Sequence, residues 1–445
     1  MTQTTPVPLG ALAPSQEVTA LPPDGIERAM QDGLERCFPA AQVLVCVAGR
    51  VVWHRAYGAA SLAALFDLAS VTKLFTTTAF LSLVSEGRAA LHTPLTDVIP
   101  EFAARGVDAD GLRRVDAGDD PETWNTAPVE AAYAGQRVDP RRVTFRHLLT
   151  HTGGLAPWPL MFKKVGLVPP PEGVADPEAR ARRRQAGLEI VCAYPFAGPP
   201  DSGVRYSDQG LILLGEAVAR LHGAPLDAAI AARVLHPLGL ARTTFNPVLA
   251  GYPLEQIVPT EFDARWRGRR AHGEVHDENA ASLGGVAGHA GLFSTARDLA
   301  TFGQAWLDCV LTGAQGPLPV PPALAREAVR EQAVDGDLRR GLGWLLKAGG
   351  DVSSMGARMS ADSFGHTGYT GTSLFIDPTR ALLVACLTNR VYHGRDPEPI
   401  SAFRPALHDA IVAAVEQLAG VIRGEGCAPG PIRRPHPVRP APARL

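Results

Sequence analysis

Residues 66–81 read Phe66-Asp-Leu-Ala-Ser-Val-Thr-Lys-Leu-Phe-Thr-Thr-Thr-Ala-Phe-Leu81. The apolar run on either side of Ser70 predicts a buried helix with a serine at its start. Lys73 follows three residues later, one turn on and on the same face, where Cβ atoms lie about 5–6 Å apart. A serine hydroxyl is a weak nucleophile until a neighbouring base takes its proton. A lysine with its pKa lowered by burial is one such base, and the unpaired N–H groups at the helix start favour a developing oxyanion. Ser70 is the one serine of the chain with lysine at this spacing. The same spacing also arises by chance, as a surface serine beside an exposed lysine, so the pair needs partners elsewhere.

With 445 residues, the chain exceeds one ordinary core, and two interleaved lobes are expected. A hydrophobic fraction of 46%, with 20% charged residues, describes a soluble globular protein. The net charge of −2 gives no basic field for nucleic acid. No run approaches the roughly 20 apolar residues of a membrane span. The first residues show neither a charged nor an apolar leader segment, so a cytoplasmic location is expected. Cys37, Cys46, Cys192, Cys309, Cys386 and Cys427 are scattered without a C-x-x-C pair, which excludes a disulfide scaffold or zinc ribbon.

Outward from the Ser70 stretch, residues 1–22 read as a loose Pro/Thr arm. A helix follows from Asp24, with Asp24 as its cap and Ile26, Met30, Leu34 and Phe38 on one face. Residues 42–47 and 51–57 form a hairpin. Residues 105–143 read as a surface excursion, and residues 146–155 as a short helix with a glycine C-cap. Arg180-Ala-Arg-Arg-Arg184 reads as a solvated helix face. Helices are expected over 209–221, 226–235, 298–311 and 405–422, and strands over 341–346, 372–376 and 381–387. The Gly-rich stretch 276–292 reads as loop, and the Pro/Ala/Arg tail 426–445 as disordered. The fold class is therefore α+β. An antiparallel sheet from residues 1–65 and 297–425 carries the terminal helices, and a mostly helical insertion, residues 66–296, carries the nucleophile helix.

Two more motifs lie downstream. Tyr206-Ser207-Asp208 precedes a helix and is the one Y-x-N/D of the chain. His366-Thr367-Gly368 precedes an apolar strand, while the other His-Thr-Gly, at His151, closes a helix. Ser-x-x-Lys, then Tyr-x-Asn, then Lys-Thr-Gly in this order is the pattern of penicillin-recognising serine hydrolases. Over residues 25–422 the chain resembles that superfamily, and within it the group around class C β-lactamases, DD-peptidases and esterases. The likeness extends to Leu149–Leu155, Val275–Ala280, Gly288–Ala296 and Gly365–Ser373.

The resemblance implies acylation of Ser70, with Lys73 and Tyr206 sharing the proton transfers and Tyr206 activating the deacylating water. It implies an oxyanion hole from the backbone N–H groups of Ser70 and Tyr369, and substrate contacts from Asp208, His366, Thr367 and Gly368. No cofactor is implied, and the partner is a small molecule or peptide with a hydrolysable acyl group. Two departures bear on substrate. His366 stands where β-lactamases carry lysine, and it is a cation only below a pKa near 6.5, so a carboxylate contact through it would fade as pH rises. Asp208 stands where asparagine is usual, and an anion there favours the Lys73 ammonium. β-Lactam hydrolysis is therefore ranked low. Two other classes compete: a metal-dependent hydrolase built on His272, His276, Asp277, Glu278 and His289, and a catalytically silent binding protein on the same scaffold.

Overall fold

The computed structural model describes residues 5–116, 131–349 and 353–424. Four strands come from the N-terminal part: β1 (Val7–Pro8), β2 (Val18–Thr19), β3 (Ala40–Val47) and β4 (Arg50–Gly58). Six follow late in the chain: β5 (Ala333–Asp335), β6 (Leu338–Arg340), β7 (Leu345–Leu346), β8 (Phe364–Thr367), β9 (Ser373–Asp377) and β10 (Leu382–Thr388). They form one ten-stranded antiparallel sheet in the order β1-β4-β3-β10-β9-β8-β7-β6-β5, with β2 also paired to β4. The chain ends thus meet where β10 pairs with β3, in a register running from Leu382 opposite Val47 to Thr388 opposite Ala41. Both strands are nearly all apolar, as expected for strands covered on two faces.

Helix α1 (Asp24–Arg36) and the terminal helix α5 (Glu398–Gly424) pack together, joined by an edge-to-face pair between Phe38 and Phe403. The helix Ala296–Thr312, here α4, packs on β3, β9 and β10. Between α4 and the helical part lies α2 (Thr72–Ser85), buried from Thr72 to Leu83. With Lys73 its one charged residue and no polar stripe to turn to solvent, this helix sits inside the protein. Phe75 of α2 stacks on Phe302 of α4 at 4.2 Å. The Trp306 indole N–H donates to Thr78 Oγ1 at 3.2 Å. On its other side α2 packs against α3 (Asp208–His222). The nucleophile helix is thus clamped between sheet and helical part, and its start cannot wander.

Several expectations need correction. Residues 5–22 are no loose arm. β1 and β2 pair with β4, and Leu12, Val18 and Leu21 are buried against the core. Asp24 is the first helical residue rather than the cap, which is Pro23. The helix over 145–150 ends on His151 in the left-handed region (φ 60), not on a glycine. Arg184 and Arg180 are not simply solvated: Arg184 forms a bidentate pair with Glu216 at 2.6 and 2.8 Å, and Arg180 reaches Asp227 at 3.5 Å. Pro405 lies inside α5, which starts at Glu398. A five-residue helix, Glu278–Ser282, interrupts the Gly-rich stretch. Cys37, Cys46, Cys192, Cys309 and Cys386 are buried free thiols. Cys427, the tail from 426 and part of the 105–143 excursion fall outside the described residues. No helix among the described residues is long and apolar enough to cross a membrane.

Candidate active site

Ser70 sits in a 3₁₀ turn, Ala69–Val71, that feeds directly into α2. Ala69 adopts φ +46, a conformation that costs a non-glycine residue about 1–2 kcal/mol. The buried Asp67 carboxylate holds the turn in place. It accepts from Ala69 N–H at 2.8 Å and from His276 N–H at 2.6 Å, tying the turn to the 276–289 segment.

Lys73 is 1% exposed in its side chain. Its Nζ donates to Ser70 Oγ at 2.8 Å and to the His289 carbonyl at 3.0 Å, and it lies 2.7 Å from Asp208 Oδ1. Burial, the largest single influence, works to lower the lysine pKa, but Asp208 and Tyr206 together overcome it and hold Lys73 above its ordinary value. Lys73 therefore stays an ammonium while Asp208 is ionised.

Tyr206 immediately precedes Ser207, the N-cap of α3. The Ser207 hydroxyl accepts from Gly210 N–H at 3.1 Å and donates to the Ala156 carbonyl at 2.6 Å. The Ser207 N–H donates to His151 Nδ1 at 3.1 Å, and the His151 ring lies 4.7 Å from the Tyr206 ring. So anchored, the Tyr206 phenol sits against Lys73 and Ser70. Burial raises its pKa, and Lys73 and Ser70 both act to lower it.

His366 and Thr367 end β8 rather than precede a strand. Gly368 follows at a point where a Cβ would overlap Thr372 Oγ1 and come within 2.5 Å of the Leu68 carbonyl oxygen, so only glycine allows this close approach to the nucleophile turn. Thr370 and Thr372 hydroxyls donate to the carbonyls of Asp67 and Leu68 at 2.7 and 2.9 Å, stitching the two segments together. The Tyr369 N–H donates to no backbone group among the described residues, and Tyr369 lines the same cavity as Ser70. His366 is 3% exposed. Burial, then Lys73 and Arg340, push its pKa down to about 3. The imidazole is therefore neutral across the physiological range. The pH-dependent carboxylate contact expected from it is not available.

The first His-Thr-Gly, read as a mere helix end, also belongs to the site, since His151 packs on the Tyr206 ring. Burial, then Arg340, holds His151 well below the ordinary histidine range. Ser70, Tyr206 and Asp208 open on a cavity of about 410 Å³ lined also by Trp158, His289 and Tyr369; Lys73, His366, Thr367 and Gly368 lie behind this lining.

The five proposed metal ligands do not converge. His272 Nε2 meets the Leu254 and Ile257 carbonyls, and His276 Nε2 meets Glu261 at 2.7 Å. Glu278 pairs with Arg395 at 2.5 Å. Among the described residues, the donors that come together are Asp208, Asp277 and His289, within 4.8 Å of one another. His289 Nε2 is bonded to Asp277 Oδ1 at 2.8 Å, and Asp208 already faces the Lys73 ammonium. The glycines of this stretch serve close packing: Gly288 lies on the backbone of Gly215, where a Cβ would meet it at 2.8 Å, and its carbonyl accepts from Thr76 at 2.8 Å. Sequence reasoning missed Arg340, 5.4 Å from the centre of the Tyr206 ring, Arg390, whose Nε–H donates to the Tyr369 carbonyl at 2.7 Å, and Trp158 in the cavity lining.

A family model described as Beta-lactamase matches residues 26–404. The chain is 29% identical over 381 residues to a protein of Escherichia coli (strain K12) described as "Putative D-alanyl-D-alanine carboxypeptidase", with 79% of each chain covered. A Salmonella agona protein of the same description is 27% identical over 390 residues, with 81% of each covered. Among solved structures, "EstCE1, a hydrolase with promiscuous acyltransferase activity" superposes with a TM-score of 0.60 at 19% identity, covering 86% of this chain and 97% of that one. A penicillin-binding protein homologue from Caulobacter crescentus gives a TM-score of 0.59 at 20% identity, covering 89% and 99%. At these identities the structural likeness speaks to the fold.

Proposed function

Because the chain belongs to the Beta-lactamase family, we propose that it is a serine hydrolase working through an acyl-enzyme on an ester, or on an amide such as a D-amino-acid peptide. The observation that carries this reading is the contact between Ser70 Oγ and Lys73 Nζ at 2.8 Å, with the Tyr206 phenol against both. In this reading Ser70 Oγ bonds to the acyl carbon and its proton passes to the Tyr206–Lys73 pair. The leaving group departs with that proton. A water molecule, giving its proton to Tyr206, then cleaves the acyl–Ser70 bond and restores the hydroxyl.

The backbone N–H groups of Ser70 and Tyr369 stabilise the oxyanion, where loss of one donor typically costs about 2.7–4 kcal/mol. Asp208 borders the substrate, with Thr367, Gly368 and the neutral His366 behind the cavity lining along β8. The names of the Escherichia coli and Salmonella relatives support the peptide end of the substrate range.

The test is intact-mass spectrometry after exposure to p-nitrophenyl esters, D-Ala-D-Ala peptides and cephalosporins in parallel. A mass increase on Ser70 with turnover of an ester or peptide is expected. Absence of label from every acylating probe, a fluorophosphonate included, would overturn the reading in favour of a silent binding protein.

A further inference from the structure

Around Tyr206 the charges do not balance. Lys73 Nζ lies 5.0 Å from the centre of the Tyr206 ring, and the Arg340 guanidinium lies 5.4 Å from it. The phenol thus stands between two cations. Lys73 has its counter-ion in Asp208, at 2.7 Å. Arg340, at the end of β6 and 8% exposed, has none. Among the described residues it forms no ion pair and no side-chain hydrogen bond, and its Nε is buried without a partner.

A buried charge left unpaired is expensive, and proteins ordinarily pair it. Of the other groups facing Tyr206, Asp208 is an anion that opposes the phenolate and is taken up by Lys73, Ser70 is a hydroxyl, and His151 and His366 are held in their neutral forms. The one group in contact with Arg340 that can become an anion is the Tyr206 phenol itself. A second fact agrees. His366, the first residue of the third motif, is neutral, so the motif strand gives no cation. Arg340 reaches the site from β6, two strands away in the sheet.

We infer that Arg340 is a positioning residue that acts through Tyr206, its guanidinium stabilising the phenolate so that Tyr206 can accept the Ser70 proton. The inference rests on the acyl-enzyme reading above and adds a group outside its three motifs. It predicts how the rate depends on pH. Activity rises as the proton-accepting group ionises. Removing a cation beside the phenol disfavours the phenolate, so the ascending limb must move to higher pH.

The experiment compares the wild type with Arg340→Gln, Arg340→Met and Arg340→Lys. It measures the pH profile of kcat/KM on an activated ester, and the ultraviolet titration of the phenolate as the difference from the matching Tyr206→Phe variant. With Gln or Met, both the rate limb and the phenolate midpoint are expected to rise by about one pH unit, a roughly tenfold loss of kcat/KM below the limb. Lys should restore at least half of the shift. Met keeps an apolar stem should Gln fail to fold. A limb that stays in place, or a kcat/KM lowered equally at every pH, overturns the inference and leaves Arg340 a packing residue. The acyl-enzyme reading is tested apart from it, by Ser70→Ala. If that variant keeps turning over ester, the failure belongs to the parent reading and not to Arg340.

Discussion

Asp208 Oδ1 lies 2.7 Å from Lys73 Nζ, and the same ammonium donates to Ser70 Oγ at 2.8 Å. The amine beside the nucleophile is therefore an ion-pair partner before it is a base. This places the ionisation of Tyr206 and Lys73 at the centre of the pH behaviour.

Asp208→Asn should move the ascending limb of kcat/KM to lower pH by about one unit or more, because the ammonium loses the carboxylate that favours it. The same variant should be less stable at neutral pH by about 1–3 kcal/mol, as a buried charged partner is removed. The sign of the pH linkage is definite. Lys73 is raised above 10.5 in the fold, so the stabilisation is complete below the unfolded value and is lost as pH climbs through the folded one. Urea melts of both proteins from neutral to alkaline pH check it.

Ser70→Ala should lower turnover by on the order of 10⁴–10⁶-fold, as for other serine hydrolases stripped of the nucleophile. Its circular dichroism and melting temperature should match the wild type, because Ser70 Oγ contributes to proton transfer rather than to the core.

His366→Gln should leave the shape of the pH profile between about pH 5 and 8 unchanged. The imidazole, at about 3, is already neutral throughout that window. A fall in kcat/KM for an anionic substrate that follows a histidine titration in the wild type and vanishes in the variant would contradict this.

Gly368→Ala should cost about 1–3 kcal/mol of stability by overpacking. It should also reduce kcat, since the new methyl meets Thr372 Oγ1 and the Leu68 carbonyl, and so forces β8 away from the Ser70 turn. A chemical denaturation curve and steady-state kinetics on one ester suffice.

Prolonged EDTA treatment should leave activity intact. Asp208 is engaged by Lys73, and His272, His276 and Glu278 are engaged by partners of their own. A loss reversed by added zinc would revive the metal reading.

The fold class and the three motifs were legible because each depends on local pattern. A helix with one charged residue and no polar stripe, such as 72–85, reads as buried. Short apolar runs such as 42–47 and 381–387 read as strands. The short edge strands were less legible, since Val7–Pro8 and Val18–Thr19 carry weak local signals and are strands only because β4 offers them an edge. The same holds for the start of α5, where Pro405 marks a boundary by local rules but the tertiary packing carries the helix through it.

The amino-acid sequence by itself determined that a serine, an amine and a phenol occur in the order of a serine acyl hydrolase on an α+β framework. Only the tertiary structure decided their ionisation. The neutrality of His366 and the unmatched charge of Arg340 arise from groups far apart in the chain, brought together in a buried space. Burial and through-space charge are properties of that assembled space and leave no trace in local sequence.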